Sequence, residues 1–371
     1  SPAVLAWSLI LFKMDAWIKE RRELQARAIE DSDVNSRPNS TAGPEVGVFF
    51  EAIENITSGQ QKESPIEHLL HCSIEGAGVF NVLSELATVF GSSPASDLRS
   101  VLDARIRIII LDVIGASIPV IDYHPVAVAA TLAALNGNAM IWDANASSTQ
   151  SFREDPVAYF LQNDDLTNTF LVNAANRFPH ESLPFLKLIT AISSCEHWQQ
   201  EGTPIAMRWL ESLSTFTFAL PSNFKEYQTI QEEENLNNIE LTDDIVLFRP
   251  RANLSIMYGR NGGFSTSAQQ ISDDFTIPTG TPGRIVSEND PRVAVWFFAF
   301  DGLKYLGKLL ETGTTSGEFV NSITGERASQ DEMVEIVSLL ANLIQASVSI
   351  NEKSGGVGDS QGVAHRILEQ A

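Results

Sequence analysis

Cysteine is scarce: Cys72 and Cys195 are the only two in 371 residues. That excludes a disulfide framework and fits a reducing compartment, with both thiols expected free and buried. Cations are also few, since 25 Lys and Arg stand against 47 Asp and Glu, for a formal net charge of −22. So acidic a surface repels phosphate backbones and anionic lipid headgroups, which argues against nucleic-acid or membrane-surface binding. The basic run Lys19-Glu20-Arg21-Arg22-Glu23 is interrupted by acids. Long apolar runs are missing too: Val4 to Phe12 is cut by Lys13 and Asp15, well short of the ~20 residues that insertion into a bilayer requires. The sequons at Asn39, Asn55, Asn145 and Asn253 follow nothing resembling a secretory leader and read as accidents of composition.

What is present is a large apolar inventory, 43% of the residues. With this chain length, two or more units are expected. From its opening Ser1 to the helix-like ending HRILEQA, the chain reads as a segment of something larger.

Most of the chain has helical periodicity. Ser1-Pro2 opens a first helix whose apolar residues form two stripes, Trp7, Ile10, Leu11, Met14 and Ile18 on one side and Leu5, Leu9, Phe12 and Ala16 on another. A helix apolar on both sides is expected to be sandwiched between neighbours. Arg27 to Pro44 is polar and reads as an exposed connection. A start signal then recurs at Ser64-Pro65, Ser93-Pro94, His124-Pro125, Asp155-Pro156 and Thr203-Pro204: a capping side chain, then a proline where its missing N–H costs nothing. After Ser93-Pro94, Leu102, Ile106, Ile109 and Val113 share a face before Gly115 and Pro119 end the helix. Ile108 to Leu111 continues that pattern rather than forming a strand. Phe170 to Val172, Phe185 to Ile192 and Met207 to Phe218 continue the helical series. The intervals are irregular, so this is no consensus repeat array, but short connections suit antiparallel stacking of the solenoid kind.

One stretch breaks the pattern. From Phe275 to Phe300, β-branched and aromatic residues are punctuated by Pro278, Gly280, Pro282, Gly283 and Asp290-Pro291, which predicts short strands and tight turns. Val293 to Phe300 is apolar in both alternation sets, so both faces are expected to be covered; a buried helix is the rival reading. Ile245 to Phe248, stopped by Pro250, supplies further strand, after a charged crossing from Pro221 to Asp244. Asn253 to Gly263 and Ser265 to Ser272 read as loops. Helical spacing returns after Phe300. Asp301 caps a helix aligning Leu303, Leu306 and Leu310, with Lys304 and Lys308 facing water, and Gly313 stops it. Ser329 with Glu332 forms a capping box for a last helix striped by Val334, Val337, Leu340, Ala341 and Ile344. The fold class expected is mainly α: a HEAT/ARM-like helical solenoid at 1–223, a small SH3-like β-barrel inserted at 224–300, and solenoid again at 301–371.

Reactive chemistry finds little support. Glu67-His68-x-x-His71-Cys72, with Cys195-Glu196-His197 as the other donor group, has zinc-like composition, yet it lacks paired CxxC or HExxH spacing and reads as packing. His124 and His180 border prolines without a nucleophile elbow and suit caps or loops. Asp164-Asp165, Glu232-Glu233-Glu234 and Asp273-Asp274 read as solvated surface. Gly259 to Gly263 and Gly280-Thr281-Pro282-Gly283 lack the lysine and the following helix of a phosphate loop, so they are turns. Trp296, Phe297, Phe298 and Phe300 either line a proline-peptide groove or fill the barrel core, and core is preferred for so small a unit. The sequence yields no catalytic residue, no metal site and no cofactor site.

Three stretches carry a resemblance: SPAVLAWSLILFKMDAW, the GTPGRIV turn and strand, and DGLKYLGKLLETG directly after an aromatic strand. Together they resemble the fungal inner-ring scaffold nucleoporins of the nucleoporin 188 family. The resemblance implies a karyopherin-like α-solenoid carrying an SH3-like barrel, and a structural, non-enzymatic role in the nuclear pore complex at the nuclear envelope, where protein and mRNA transport pass. It also implies association with a linker nucleoporin of the nucleoporin 93 type through the larger protein. The competing function is a transport-receptor-like module that binds peptides or Phe-Gly repeats; the lack of an ALYDY-like stretch weighs against proline-motif recognition.

Overall fold

The protein's structure, a computed structural model, describes residues 2–31, 65–91, 98–119, 124–136, 155–193, 199–200, 203–211, 213–220, 224–230, 237–250, 275–287, 292–313, 319–321 and 328–354. These form two compact units, Ser1–Tyr159 and Phe160–Ala371.

The first unit is helical: α1 (Pro2–Asp31), α2 (Pro65–His71) running into a π-helical turn (Cys72–Gly76), α3 (Val79–Gly91), α4 (Leu98–Ser117) and α5 (Pro125–Leu135). The recurring start signal works through side chains at His124 and Asp155, whereas Thr203-Pro204 forms a short strand instead of a cap. His124 Nδ1 accepts from the Val126 N–H at 3.3 Å, and Asp155 Oδ1 accepts from the Val157 N–H at 2.9 Å at the start of α6 (Pro156–Gln162). Packing is between sequence neighbours, with α3 against α4 and α5, and α1 against α2. Ala127, Ala130 and Ala134 let α5 lie close to Phe80 and Leu83 of α3, all of them buried. In the same core, Asp103 and Arg107 of α4 are buried, and Arg107 Nη1 donates to the Ala134 carbonyl at the end of α5 (3.3 Å). Burial lowers the guanidinium pKa from its usual value, while the charges of Asp155 and Asp103 oppose that shift.

The helices fall where expected, but their buried faces do not. α1 turns Leu5, Ser8 and Leu9 inward and leaves Trp7 and Ile10 exposed, so it is not sandwiched. It also runs on to Asp31, past the start of the expected polar connection at Arg27. In α4 the inward residues are Ala104, Ile110, Leu111 and Ile114, whereas Leu102 and Ile109 are exposed and Gly115 stays within the helix.

The second unit joins helices to sheet. The chain passes through α7 (Asp164–Leu166), a π-helical turn (Thr167–Val172), α8 (Asn173–Asn176) and α9 (Ser182–Ser193). A two-stranded ribbon of β1 (Gln199–Gln200) and β2 (Thr203–Pro204) precedes α10 (Ile205–Glu211). The helix expected over Met207 to Phe218 ends at Glu211, and Phe216–Leu220 is instead β3, because its β-branched and aromatic residues find a partner in β10. The charged crossing also contains strands, β4 (Tyr227–Thr229) and β5 (Asn238–Leu241), which bury Ile239 and Leu241.

β6 (Ile245–Val246), β7 (Phe248–Pro250), β8 (Thr276–Ile277), β9 (Pro282–Ser287) and β10 (Arg292–Trp296) follow. The main sheet is antiparallel in the order β3-β10-β9-β5-β4, while β6 pairs with β8. Strand therefore prevails over helix for Val293 to Trp296. Only one of its faces is fully covered: Ala294 and Trp296 are 0% exposed, while Phe297 is 55% exposed.

α11 (Gly302–Gly313) starts on Asp301, whose Oδ1 accepts from the Leu303 and Lys304 N–H groups. β11 (Phe319–Asn321) returns to pair with β7. α12 (Gln330–Ser354) opens on the expected capping box: the Ser329 N–H donates to Glu332 Oε2 at 2.7 Å, and the Glu332 N–H donates to Ser329 Oγ at 3.2 Å. Its core face is Ile336, Leu339, Leu340 and Leu343, leaving Val334 and Val337 outside. α12 lies along α9, where Asn342 Nδ2 donates to the Thr190 carbonyl and to Ser193 Oγ, and Ser182 Oγ hydrogen-bonds Glu332. Within the second unit, α9 before the sheet and α12 after it thus pack together.

Two substitutions test this packing. A Cβ at Gly283 would sit 2.6 Å from Trp296 Cε3 and 2.8 Å from the Val295 carbonyl, so Gly283→Ala should cost about 1–3 kcal/mol; an unchanged urea midpoint would refute this account of the sheet. Arg107→Met should cost about 3–5 kcal/mol by leaving the Asp103 carboxylate buried and uncompensated. Adding Asp103→Asn should recover part of the loss, and simple additivity of the two changes would contradict the coupling.

Candidate functional site

The residues singled out from the sequence do not converge. Cys72 is exposed, not buried, with its Sγ 3.7 Å from His68 Nε2. His71 pairs instead with Glu75, at 3.1 Å, so the zinc-like group divides into two surface pairs. Cys195-Glu196-His197 lies outside the described residues, as do Glu232-Glu233-Glu234, Asp273-Asp274, Gly259 to Gly263 and the four sequons. His124 is a helix cap stacked beside Phe80, and exposed His180 donates its backbone N–H to the Thr217 carbonyl. Asp164 and Asp165 are exposed in the first turn of α7. Gly280 has φ +81° in the turn before β9, a conformation that suits glycine.

The four aromatics of the proposed groove separate as well. Trp296 and Phe300 are buried, Phe298 is half-buried, and only Phe297 projects into solvent. They do not form an aromatic-lined surface of the kind that grips polyproline segments.

The second unit instead assembles an aromatic junction between sheet and helices. Phe178, Phe216, Phe300 and Tyr305 are all nearly or fully buried. Phe216 meets Phe300 with ring centroids at 5.3 Å and Tyr305 at 5.5 Å, and Phe178 meets Tyr305 at 5.6 Å and Phe185 of α9 at 5.2 Å. Phe248 of β7 reaches Tyr305 at 5.4 Å. Edge-to-face and tilted pairs of this kind each add about 0.5–1.5 kcal/mol beyond the area they bury.

Backbone bonds register the junction. The Leu213 N–H donates to the Phe300 carbonyl at 3.2 Å and the Phe300 N–H to the Leu213 carbonyl at 2.9 Å; the Thr217 N–H donates to the Phe178 carbonyl at 3.0 Å. The outer edge of β3 is thereby occupied by residues 178–180. Close approach also sets Gly302, where a Cβ would lie 2.9 Å from the Leu210 carbonyl. Sequence reasoning missed this junction because its members lie far apart in the chain and none belongs to a local motif. The one available signal was Tyr305 on the inward stripe of α11.

Within this frame the comparisons are informative. The profile of the Nup188 SH3-like domain matches residues 231–292, a stretch that contains β5 to β9. Nucleoporin NUP188 of Chaetomium thermophilum is 26% identical over 373 aligned positions, covering 96% of this chain and 19% of that protein. The chain is similar to nucleoporin 188 proteins along nearly its whole length. Nucleoporin nup184 of Schizosaccharomyces pombe is 30% identical over 152 positions, 40% of this chain and 8% of that protein. The chain thus spans about a fifth of the length of the first of these curated relatives. The fold class agrees with the expectation, a mainly α, solenoid-like stacking of helices interrupted by an SH3-like β unit. The β unit is joined to its helices by an aromatic cluster.

Tyr305 makes the junction sensitive to alkali. Burial, reinforced by the charge of Glu332, raises the phenol pKa above its ordinary value, so its contribution is complete below the unfolded pKa of about 10 and is lost as pH rises beyond it. Urea unfolding between about pH 9 and pH 11 should show stability falling by up to about 1.4 kcal/mol per pH unit from this group, and Tyr305→Phe should flatten that slope. Parallel slopes for both proteins would show that the phenol is not held neutral.

Proposed function

We propose that this chain is a non-catalytic section of a scaffold nucleoporin in the inner ring of the nuclear pore complex, at the nuclear envelope, supporting the passage of protein and mRNA. The observation carrying this reading is the likeness to Nucleoporin NUP188 across 96% of the chain, including an SH3-like unit set between helices that pack on each other. Such construction suits a structural part. The aromatic residues of the junction are spent on internal cohesion, and the titratable residues singled out from the sequence serve as caps and surface pairs, sit exposed, or lie outside the described residues.

The division into a helical 1–223, an SH3-like 224–300 and a helical 301–371 is retained within this proposal, with β3 lent to the sheet from the first part. Association with a linker nucleoporin of the nucleoporin 93 type is assigned to the whole protein. A second reading, weak capture of peptides or Phe-Gly repeats, draws on one observation: Phe297 and Val286 are exposed on the β unit.

Affinity purification of the whole protein from nuclear envelopes, beside binding of this 371-residue chain to immobilised Phe-Gly peptides, separates the two. Recovery of inner-ring nucleoporins with at most weak peptide retention is expected. Tight peptide retention abolished by Phe297→Ser, with no scaffold nucleoporin recovered, would reverse the order.

A further inference from the structure

The two edges of the main sheet differ. Residues 178–180 occupy the outer edge of β3, whereas nothing among the described residues pairs with the outer edge of β4. The Ile230 N–H donates to the Asn238 carbonyl at 2.9 Å, and the Thr242 N–H to the Glu226 carbonyl at 3.0 Å. Antiparallel bonding alternates along a strand, so residues 226, 228 and 230 turn their main chains toward β5, and Tyr227 and Thr229 turn theirs away. Leu241, opposite Tyr227, accordingly donates its N–H to the Thr281 carbonyl on the β9 side, at 3.1 Å. Soluble proteins blunt open edges with proline, lysine or a bulge. Tyr227-Gln228-Thr229 has none of these, and its tyrosine and threonine favour strand. With three residues, β4 offers an added strand few main-chain bonds, so side chains must supply the rest of the recognition.

The register places Tyr227 and Thr229 on the face of Leu241 and Ile239, which are buried. There Tyr227 stacks on Phe224 at 6.1 Å, with Phe224 edge-on to Phe218 at 6.0 Å, and both Tyr227 and Phe224 are only half-buried. Apolar side chains of an added strand can rest on this open aromatic margin. The opposite face carries exposed Glu226 and Gln228 and half-buried Glu240, with Gln228 Nε2 donating to Glu240 Oε2 at 3.1 Å. A long cationic side chain set opposite Gln228 reaches these carboxylates, as diagonal cross-strand neighbours do. Residues 224–244 hold Glu226, Glu232-Glu233-Glu234, Glu240, Asp243 and Asp244 against Lys225. Arg292 lies on the aromatic side, its Nη1 donating to the Tyr227 hydroxyl at 3.4 Å. A second copy would bring −22 against −22, so long-range charge favours a basic occupant over self-pairing.

We infer that the outer edge of β4 docks an extended segment of another protein, which joins the sheet as an antiparallel strand and alternates apolar residues with Lys or Arg. Its main chain bonds Tyr227 and Thr229, its apolar side chains cover the Phe224 and Tyr227 rings, and its cations meet Glu226 and Glu240. Strand addition of this kind takes affinity from the backbone and specificity from alternate side chains. It needs no aromatic groove, so the separation of Trp296, Phe297, Phe298 and Phe300 does not oppose it. The inference rests on the geometry and charge of the β unit, and not on placement in the pore.

The test titrates the full-length protein with a fluorescent peptide of alternating Lys and Val, reading anisotropy and the hydrogen exchange of the Tyr227 and Thr229 amides. In the inferred register the valine N–H groups point at β4 and the lysine N–H groups away from it. N-methylation of the valine amides, or Glu in place of Lys, should therefore weaken binding about tenfold or more, while N-methylation of the lysine amides leaves it nearly unchanged. Both edge amides should exchange more slowly in the complex. Thr229→Pro removes an outward N–H without touching a bond to β5, so it should abolish binding at an unchanged Tm. Equal binding of the two methylated peptides or of the Glu peptide, or unslowed exchange at Tyr227 and Thr229, would overturn the inference. Slowing of those amides with protein concentration alone would do so too, by placing a second copy on the edge. Phe297→Ser should leave Lys-Val binding intact; its loss would move the site to the surface considered for Phe-Gly repeats and refute the edge.

Discussion

Everything in the second unit depends on where four aromatic rings go. A few short strands cannot enclose an indole and several phenyl rings by themselves, and small sheets are marginal in water without a covered face. Here Phe216 and Phe300 leave the sheet to meet Phe178 and Tyr305 on the helical side, so one hydrophobic cluster serves both. The cost of exposing those rings binds the strands to α9 and α11. The hydrogen bonds at Leu213, Thr217 and Phe300 then choose one geometry from the many that burial alone would allow.

Local signals were legible in the sequence. His124, Asp155, Asp301 and the Ser329 and Glu332 pair act as helix starts because a cap is decided by one side chain and its next few N–H groups. The β character of Val293 to Trp296 was legible for the same reason. Phe216–Leu220 was misread because its strand character depends on β10, some seventy residues away, while its own neighbours follow a helix.

Facing was the other property that periodicity did not settle. In α1, α4 and α12 the apolar residues run along more than one side: both stripes of α1 were expected to be covered, and in α4 and α12 the expected stripe included residues that the fold leaves exposed. Leu5 and Leu9, Ile110 and Ile114, and Ile336 and Leu339 are the residues that this chain actually buries. A helix with two apolar faces states that it has two neighbours, without saying which is nearer in sequence. The buried side of α4 also carries the charged Asp103 and Arg107, and Arg107 donates inside to the end of α5.

The paired bonds between Leu213 and Phe300 have an evolutionary corollary. They bring the two ends of the β excursion to a single point, like the neck of a loop of string. Whatever lies inside the neck can lengthen, shorten or change sequence at little entropic expense to the closure, and the flanking helices register no displacement. Divergence can therefore accumulate in the excursion while the stacked helices around it keep their spacing.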